Sequence, residues 1–212
     1  MNLIISLFSG FLSAFVGITP PGLLNMTAAK VSLKEGRRNA FWFVSGAVLV
    51  IFIQVYLAVL FARIINARPD IILLLREVGC VIFGLLTVYF LAIAKKPKLK
   101  QPKIKKHSKK KRFFLGMLLS ALNFFPIPYY VFVSVTLYSY AVFSFDSTSV
   151  FTFVSGAALG AIVVFYFYIA FFQKIEEKAD FLLRNMNVII GTITGVVSII
   201  ALINILEHYL NF

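Results

Sequence analysis

The chain has 212 residues, 60% of them apolar, with 24 phenylalanines, a mean hydropathy of +0.92 and a formal charge of +13. That composition lies far outside soluble globular usage and excludes an ordinary water-soluble domain, so the surroundings must be largely lipid. A single cysteine, Cys80, excludes an intramolecular disulfide and a two-cysteine redox relay.

A helix crossing ~30 Å of hydrocarbon needs ~20 mainly apolar residues. On that basis the sequence predicts an all-α integral membrane protein with six spans, at 3–29, 40–62, 71–94, 113–138, 150–172 and 187–206. The first begins Met1-Asn2-Leu3-Ile4-Ile5, without the basic region of a secretory signal and with an apolar run too long for one. It is therefore expected to be retained. Inside it stands Ile18-Thr19-Pro20-Pro21-Gly22. Proline removes a backbone donor and clashes with the preceding turn, so one helical piece should end here and another start. Thr19 is the expected N-cap of the second piece, with Pro20 at its first position. Gly22 is expected to permit close backbone approach, and Asn25 lies just beyond. The second span opens on Phe41-Trp42-Phe43-Val44-Ser45-Gly46-Ala47, and the third holds Cys80, read as a small packing residue.

Residues 95–112 follow, with ten lysines and Arg112 and no acid. A strongly basic chain invites a nucleic-acid reading, but this run has no interleaved aromatics and lies between two spans. It is read as a solvated loop attracted to anionic lipid headgroups. The fourth span carries Asn123-Phe124-Phe125-Pro126-Ile127-Pro128, a second proline interruption with Asn123 as its expected cap. The fifth opens on Phe151-Thr152-Phe153-Val154-Ser155-Gly156-Ala157, which repeats the start of the second 110 residues later. Leu49 then answers to Leu159, Tyr56 to Tyr166 and Phe61 to Phe171. The repeated Ser-Gly-Ala, with the Gly156/Gly160 and Gly191/Gly195 pairs, reads as helix-packing contact.

The repeat divides the chain into halves 1–94 and 113–212, joined by the loop 95–112 within one transmembrane domain. Three spans is an odd number, so the second half enters the membrane in the opposite sense. That makes two inverted three-helix repeats, with helices 1 and 4 broken at prolines in matching positions. Such a pattern points to a transporter's binding site and suits alternating access. The connections 30–39, 95–112 and 173–186 hold most of the cations, which places them in the cytoplasm and both termini outside it. A re-entrant first segment would instead leave five spans and turn the N-terminus inward.

Each second piece is expected to aim free N–H groups and its positive dipole end into the protein, where an anionic ligand group suits them. The expected substrate-binding residues are Thr19, Pro20, Pro21, Gly22 and Asn25 on one side, and Asn123, Pro126 and Pro128 on the other. The asparagines would orient polar groups of a small molecule. Gln54 and Asn204 serve equally well as interhelical hydrogen-bonding residues. No Asp, Glu or His falls in the centre of a span, which argues against a metal site and leaves proton coupling without an intramembrane carrier. No constellation for enzymatic catalysis is present, and no cofactor is expected.

The run Gly17-Ile18-Thr19-Pro20-Pro21-Gly22-Leu23-Leu24-Asn25-Met26, then Gly36-Arg37-Arg38 and Phe43-Val44-Ser45-Gly46-Ala47, resembles the LysE/RhtB family of amino-acid exporters. Length, span order and a hydrophilic link after the third span are similar as well. Family members typically read Pro-Gly-Pro and a polar pair in the first span, where this chain has Pro20-Pro21-Gly22 and Leu23-Leu24. In the fourth they commonly read Asn-Pro-Lys, where Asn123 is followed here by Phe124-Phe125-Pro126. The resemblance implies a multi-pass secondary transporter of the bacterial inner membrane that exports amino acids or related zwitterionic metabolites. It leaves the substrate and self-association into a homo-oligomer open. Two other readings stand beside it: a membrane scaffold or assembly protein recruiting lipid or a partner through the polylysine loop, and, more weakly, an ion or metal transporter.

Overall fold

Helices supply every regular element among the residues that the computed structural model describes, 3–20, 22–94 and 108–210. Pro21 and most of the basic connection, 95–107, lie outside the described residues. The elements are α1 (Leu3–Ile18), α2 (Leu23–Glu35), α3 (Arg37–Asn66), α4 (Pro69–Val88) continued by a π-helical turn (Tyr89–Ile93), α5 (Lys109–Ala121), α6 (Pro126–Ser139), α7 (Ser147–Arg184) and α8 (Met186–Leu210). Residues α3 and Ser147–Phe171 of α7 are each long and apolar enough to cross a membrane. Counting the bent pairs α1–α2 and α5–α6 as one span each gives up to four among the described residues, with shorter apolar stretches at Glu77–Ile93 and Thr194–Ile203. The protein is a multi-pass, helical membrane protein.

Local chemistry sets several boundaries. Gly36 ends α2 with φ 89°, a conformation glycine adopts without steric cost, and its N–H bonds the Ser32 carbonyl. Ser108 caps α5 by accepting from Lys111 N–H, so this helix starts four residues before the expected Phe113 and takes in part of the basic run. The expected connection 173–186 is also largely helical, because α7 runs on to Arg184 past a non-helical residue, Phe171 (φ −119°, ψ 19°).

The chain forms two compact units, Met1–Ile64 with Pro102–Glu177, and Ile65–Gln101 with Lys178–Phe212. In the first, α3 and α7 carry the core, and the 110-residue register of the repeat governs their packing. Phe43, Val44, Ala47, Val55 and Val59 are buried on α3, and so are Phe153, Val154, Ala157, Phe165 and Ile169 at the matching positions of α7. The partners of the opposite face, Phe41 with Phe151, Leu49 with Leu159 and Tyr56 with Tyr166, are exposed apolar residues, as lipid contact requires.

Two close helix crossings tie this unit together. A Cβ at Gly10 of α1 would collide with the Phe153 carbonyl of α7, and one at Gly156 with the Leu7 carbonyl. A Cβ at Gly46 of α3 would collide in the same way with the Phe113 carbonyl of α5, and one at Gly116 with that of Phe43. The glycines of the repeated Ser-Gly-Ala thus let backbones meet, the usual role of small residues between membrane helices. Buried residues recur at the same spacing on the crossing helices: Ser6, Gly10 and Ala14 on α1, and Arg112, Gly116 and Ser120 on α5. Both crossings are parallel. Gly156 meets Leu7 and Phe11 while Gly160 meets Phe11 and Ala14, and Gly46 meets Phe113 and Met117 while Gln54 meets Ser120 and Asn123.

In the second unit α4 and α8 run antiparallel. Cys80 lies against Ser198, the Thr87 hydroxyl donates to that of Thr194 at 3.0 Å, and Gly191 abuts Leu91. Ser198 Oγ donates to the Cys80 carbonyl at 3.1 Å, so Cys80 is one member of a small polar contact between helices.

Candidate functional site

A helix interrupted within hydrocarbon leaves carbonyls at one stump and N–H groups at the other without intrahelical partners, and each must be met by protein or ligand. In the first interruption α1 ends at Ile18 and α2 begins at Leu23, bent by 81°. Thr19 finishes α1 rather than starting α2: its N–H donates to the Phe15 carbonyl at 3.1 Å, and its hydroxyl donates to the same oxygen. The expected N-cap role is therefore corrected. The position before α2 belongs to Gly22, in extended conformation (φ −130°, ψ 175°), with no side chain capping it. The first bond of α2 runs from Met26 N–H to the Gly22 carbonyl at 3.0 Å, and the N–H groups of Leu23, Leu24 and Asn25 precede it.

The carbonyls that α1 releases are held by two side chains. Asn25 Nδ2 donates to Ile18 O at 2.6 Å and to Pro20 O at 3.1 Å, and the Tyr168 hydroxyl of α7 donates to Thr19 O at 2.8 Å. Asn25 is 3% exposed. Gly22 has room for a Cβ, since the nearest atom would be Pro20 O at 4.0 Å, so no close helix contact forms there. That function falls to Gly17, where a Cβ would lie 2.7 Å from the Tyr129 ring of α6. The Tyr129 hydroxyl donates in turn to Ser13 O at 2.8 Å.

In the second interruption α5 ends at Ala121 and α6 begins at Pro126, bent by 62°. Asn123 N–H turns back to Ser120 O at 3.0 Å, and Asn123 Oδ1 accepts from Phe125 N–H at 3.4 Å. The residue preceding α6 is Phe125, so Asn123, the expected cap, instead supports the turn from two residues upstream of the cap position. Gln54 of α3 reaches across to donate Nε2 to Ser120 O at 3.2 Å and Asn123 O at 2.9 Å. Pro126 and Pro128 have no N–H, and the intervening Ile127 N–H bonds Phe124 O at 3.3 Å. The start of α6 is therefore poor in donors, which corrects the expectation of free N–H groups at both second pieces.

Several buried polar atoms remain without a partner: Asn25 Oδ1, Gln54 Oε1, and the hydroxyl oxygens of Ser6, Ser120, Tyr130 and Ser134. In an apolar interior such atoms are costly unless something visits them. Arg112 and Glu35 form a buried ion pair, with side chains 2% and 1% exposed. Arg112 Nε donates to Glu35 Oε2 at 2.8 Å, and a second guanidinium nitrogen meets Oε1. Arg112 thus leaves the solvated basic loop to which its sequence neighbours point and ties the end of α2 to the first turn of α5.

Of the residues expected at the site, Asn25 and Asn123 hold the two interruptions, Pro126 and Pro128 fill the first turn of α6, and Thr19, Pro20 and Gly22 form the first connection. Pro21 lies outside the described residues. Gln54 and Tyr168, which complete the two interruptions from α3 and α7, were not among them. Gln54 was visible as a lone amide in an apolar run, whereas Tyr168 is one of many aromatics and carried no signal. The described residues hold no group of three or more His, Cys, Asp or Glu suited to a metal ion. A family model described as LysE type translocator matches residues 15–204. No curated protein and no solved structure matches the chain.

Proposed function

Because the chain belongs to the LysE type translocator family, we propose that it exports amino acids or related small zwitterions across a bacterial inner membrane by alternating access. The observation that carries this reading is the pair of interrupted helices, each with its released carbonyls held by a buried amide, Asn25 at one and Gln54 at the other. Unwound backbone stabilised inside a membrane protein is the usual setting for substrate recognition in secondary transporters. The site comprises Thr19, Pro20, Pro21, Gly22 and Asn25 with Asn123, Pro126 and Pro128. At the first interruption the uncapped start of α2 offers N–H groups and a positive dipole end to the substrate carboxylate.

Helix pairing supports six spans. If each bent pair crosses once, the first and fifth spans run in one sense, the second and fourth share the other, and the third and sixth oppose each other. The parallel α1–α7 and α3–α5 pairs and the antiparallel α4–α8 pair have these senses. A re-entrant pair in one half alone would run α1 against α7, and re-entry in both would make α4 and α8 parallel. The shared burial register of α3 and α7 and the matched glycine crossings support two inverted repeats, 1–94 and 113–212, within one transmembrane domain. The basic loop 95–112, shortened by the helical residues Lys109–Arg112, faces the cytoplasm and its anionic lipids.

Counterflow in proteoliposomes against the common amino acids tests the reading. Saturable exchange of at least one member is expected, and exchange with none would remove it.

A further inference from the structure

The two interruptions differ in chemical polarity, and that difference bears on which end of a substrate each one meets. At the second, Gln54 Nε2 faces two carbonyl oxygens, those of Ser120 and Asn123. Turning the amide over would set its oxygen against both, so the two contacts fix its orientation. Gln54 Oε1 is then left buried and without a partner, in a residue only 7% exposed. The hydroxyl of Ser120, whose carbonyl Gln54 holds, is also buried and unpartnered.

The surroundings favour positive charge. The C-terminal end of α5 lies here, with the negative end of its dipole and its last carbonyls. Pro126 removes the N–H that would otherwise answer the Leu122 carbonyl, and with Pro128 it strips donors from the start of α6. The repeat sharpens the point. In the 110-residue register Gln54 answers to Val164, which is buried at 2% exposure, so a polar residue at this depth is particular to one half.

We propose that Gln54 Oε1, with the Ser120 hydroxyl and the carbonyl end of α5, forms a binding site for a protonated primary amine at the second interruption. The inference rests on the transport reading above and assigns the ammonium end of the substrate to this place. The carboxylate belongs to the first interruption, where α2 starts without a side-chain cap. The ammonium donates hydrogen bonds to Gln54 Oε1 and Ser120 Oγ, which have no other donor to take.

The test is counterflow with full-length protein in proteoliposomes, using each common amino acid that exchanges, its 2-hydroxy-acid analogue and its N-trimethyl betaine as competitors. For the wild type, both analogues should compete about tenfold or more weakly than the amino acid, the size of one lost charge-assisted hydrogen bond. Gln54→Met should raise KM for the amino acid by a similar factor, leave inhibition by the 2-hydroxy acid unchanged, and so erase the discrimination. A wild-type protein that accepts the 2-hydroxy acid as well as the amino acid would overturn the proposal without need of any variant. So would a folded Gln54→Met protein that keeps the discrimination, or one that instead loses a sodium dependence. Absence of exchange for every amino acid would sink the transport reading itself.

Discussion

The two interrupted helices share a frame and part company beyond the break. Before it, α1 and α5 each bury three residues at four-residue spacing, and each crosses a long helix, α7 or α3, on a glycine. After it, α2 buries most of its residues and starts without a side-chain cap, whereas α6 buries Tyr130 and Ser134 and starts on prolines. The breaks also fall at different distances from the crossing. The last residue of α1 is eight beyond Gly10 and that of α5 five beyond Gly116, a difference of about one turn or ~4.5 Å. A backbone-to-backbone crossing tolerates no added atom and so holds the shared frame, while the half-helices beyond the breaks are available to differ.

The buried ion pair is where the comparison breaks most sharply, since the position of Arg112 on α5 corresponds to Ser6 on α1. Arg112→Met removes the guanidinium that faces the buried Glu35 carboxylate and is expected to cost about 3–5 kcal/mol. Replacing both partners with apolar residues of similar volume should restore most of that stability. Melting in detergent reads both, and an undamaged single variant would show that the pair does not hold α2 to α5.

Next come the glycines. Gly46→Ala and Gly156→Ala should each cost about 1–3 kcal/mol by overpacking one backbone on another. Gly22→Ala should be close to neutral, because its Cβ has space. Equal effects at all three would mean that the crossings are not the shared frame.

The two asparagines should then separate. Asn25→Ala strands two carbonyls and is expected to cost about 1–3 kcal/mol. Asn123→Ala loses one long bond to Phe125 N–H and should cost under about 1 kcal/mol, since Gln54 still holds the Asn123 carbonyl. Transport should fall in both variants, and the ratio of activity to melting temperature distinguishes a binding role from a structural one.

The smallest effect lies at the start of α7, outside the spans. Asp146 Oδ1 accepts from Ser149 N–H at 3.0 Å, and the Ser144 hydroxyl donates to its other oxygen. Hydrogen bonds from Ser144 and Ser149 hold its carboxyl well below the usual range. A lowered folded-state pKa means that this stabilisation is fully present above the ordinary aspartate value and is lost as pH falls through the folded value. Exchange of the Ser149 and Val150 amides should therefore speed up only in strong acid in the wild type, and be faster at neutral pH in Asp146→Ala. Exchange that is unaltered by that substitution would dismiss the cap.

Much of the frame was legible in the residues. Composition named the solvent, and the register from Phe41 to Phe151 is the one in which buried positions of α3 and α7 coincide. The family was readable from the run around Pro20 and from Ser45-Gly46-Ala47. The capping assignments were not. Thr19 looked like an N-cap because threonine before proline suits one, yet its hydroxyl found the nearer Phe15 carbonyl of its own last turn. Arg112 looked solvated because ten lysines precede it, yet Glu35, 77 residues away, made it a buried residue.

The sequence by itself determined that the chain is helical, lives in lipid and belongs to this family, because apolar content and proline's missing N–H act through local chemistry. Only the tertiary structure decided who answers the carbonyls released at each interruption. Gln54 lies 66 and 69 residues from the two it holds, and Tyr168 lies 149 residues from its own. Hydrogen-bond partners are chosen by where side chains project across a helix crossing, and the Gly10, Gly46, Gly116 and Gly156 contacts set that crossing in space.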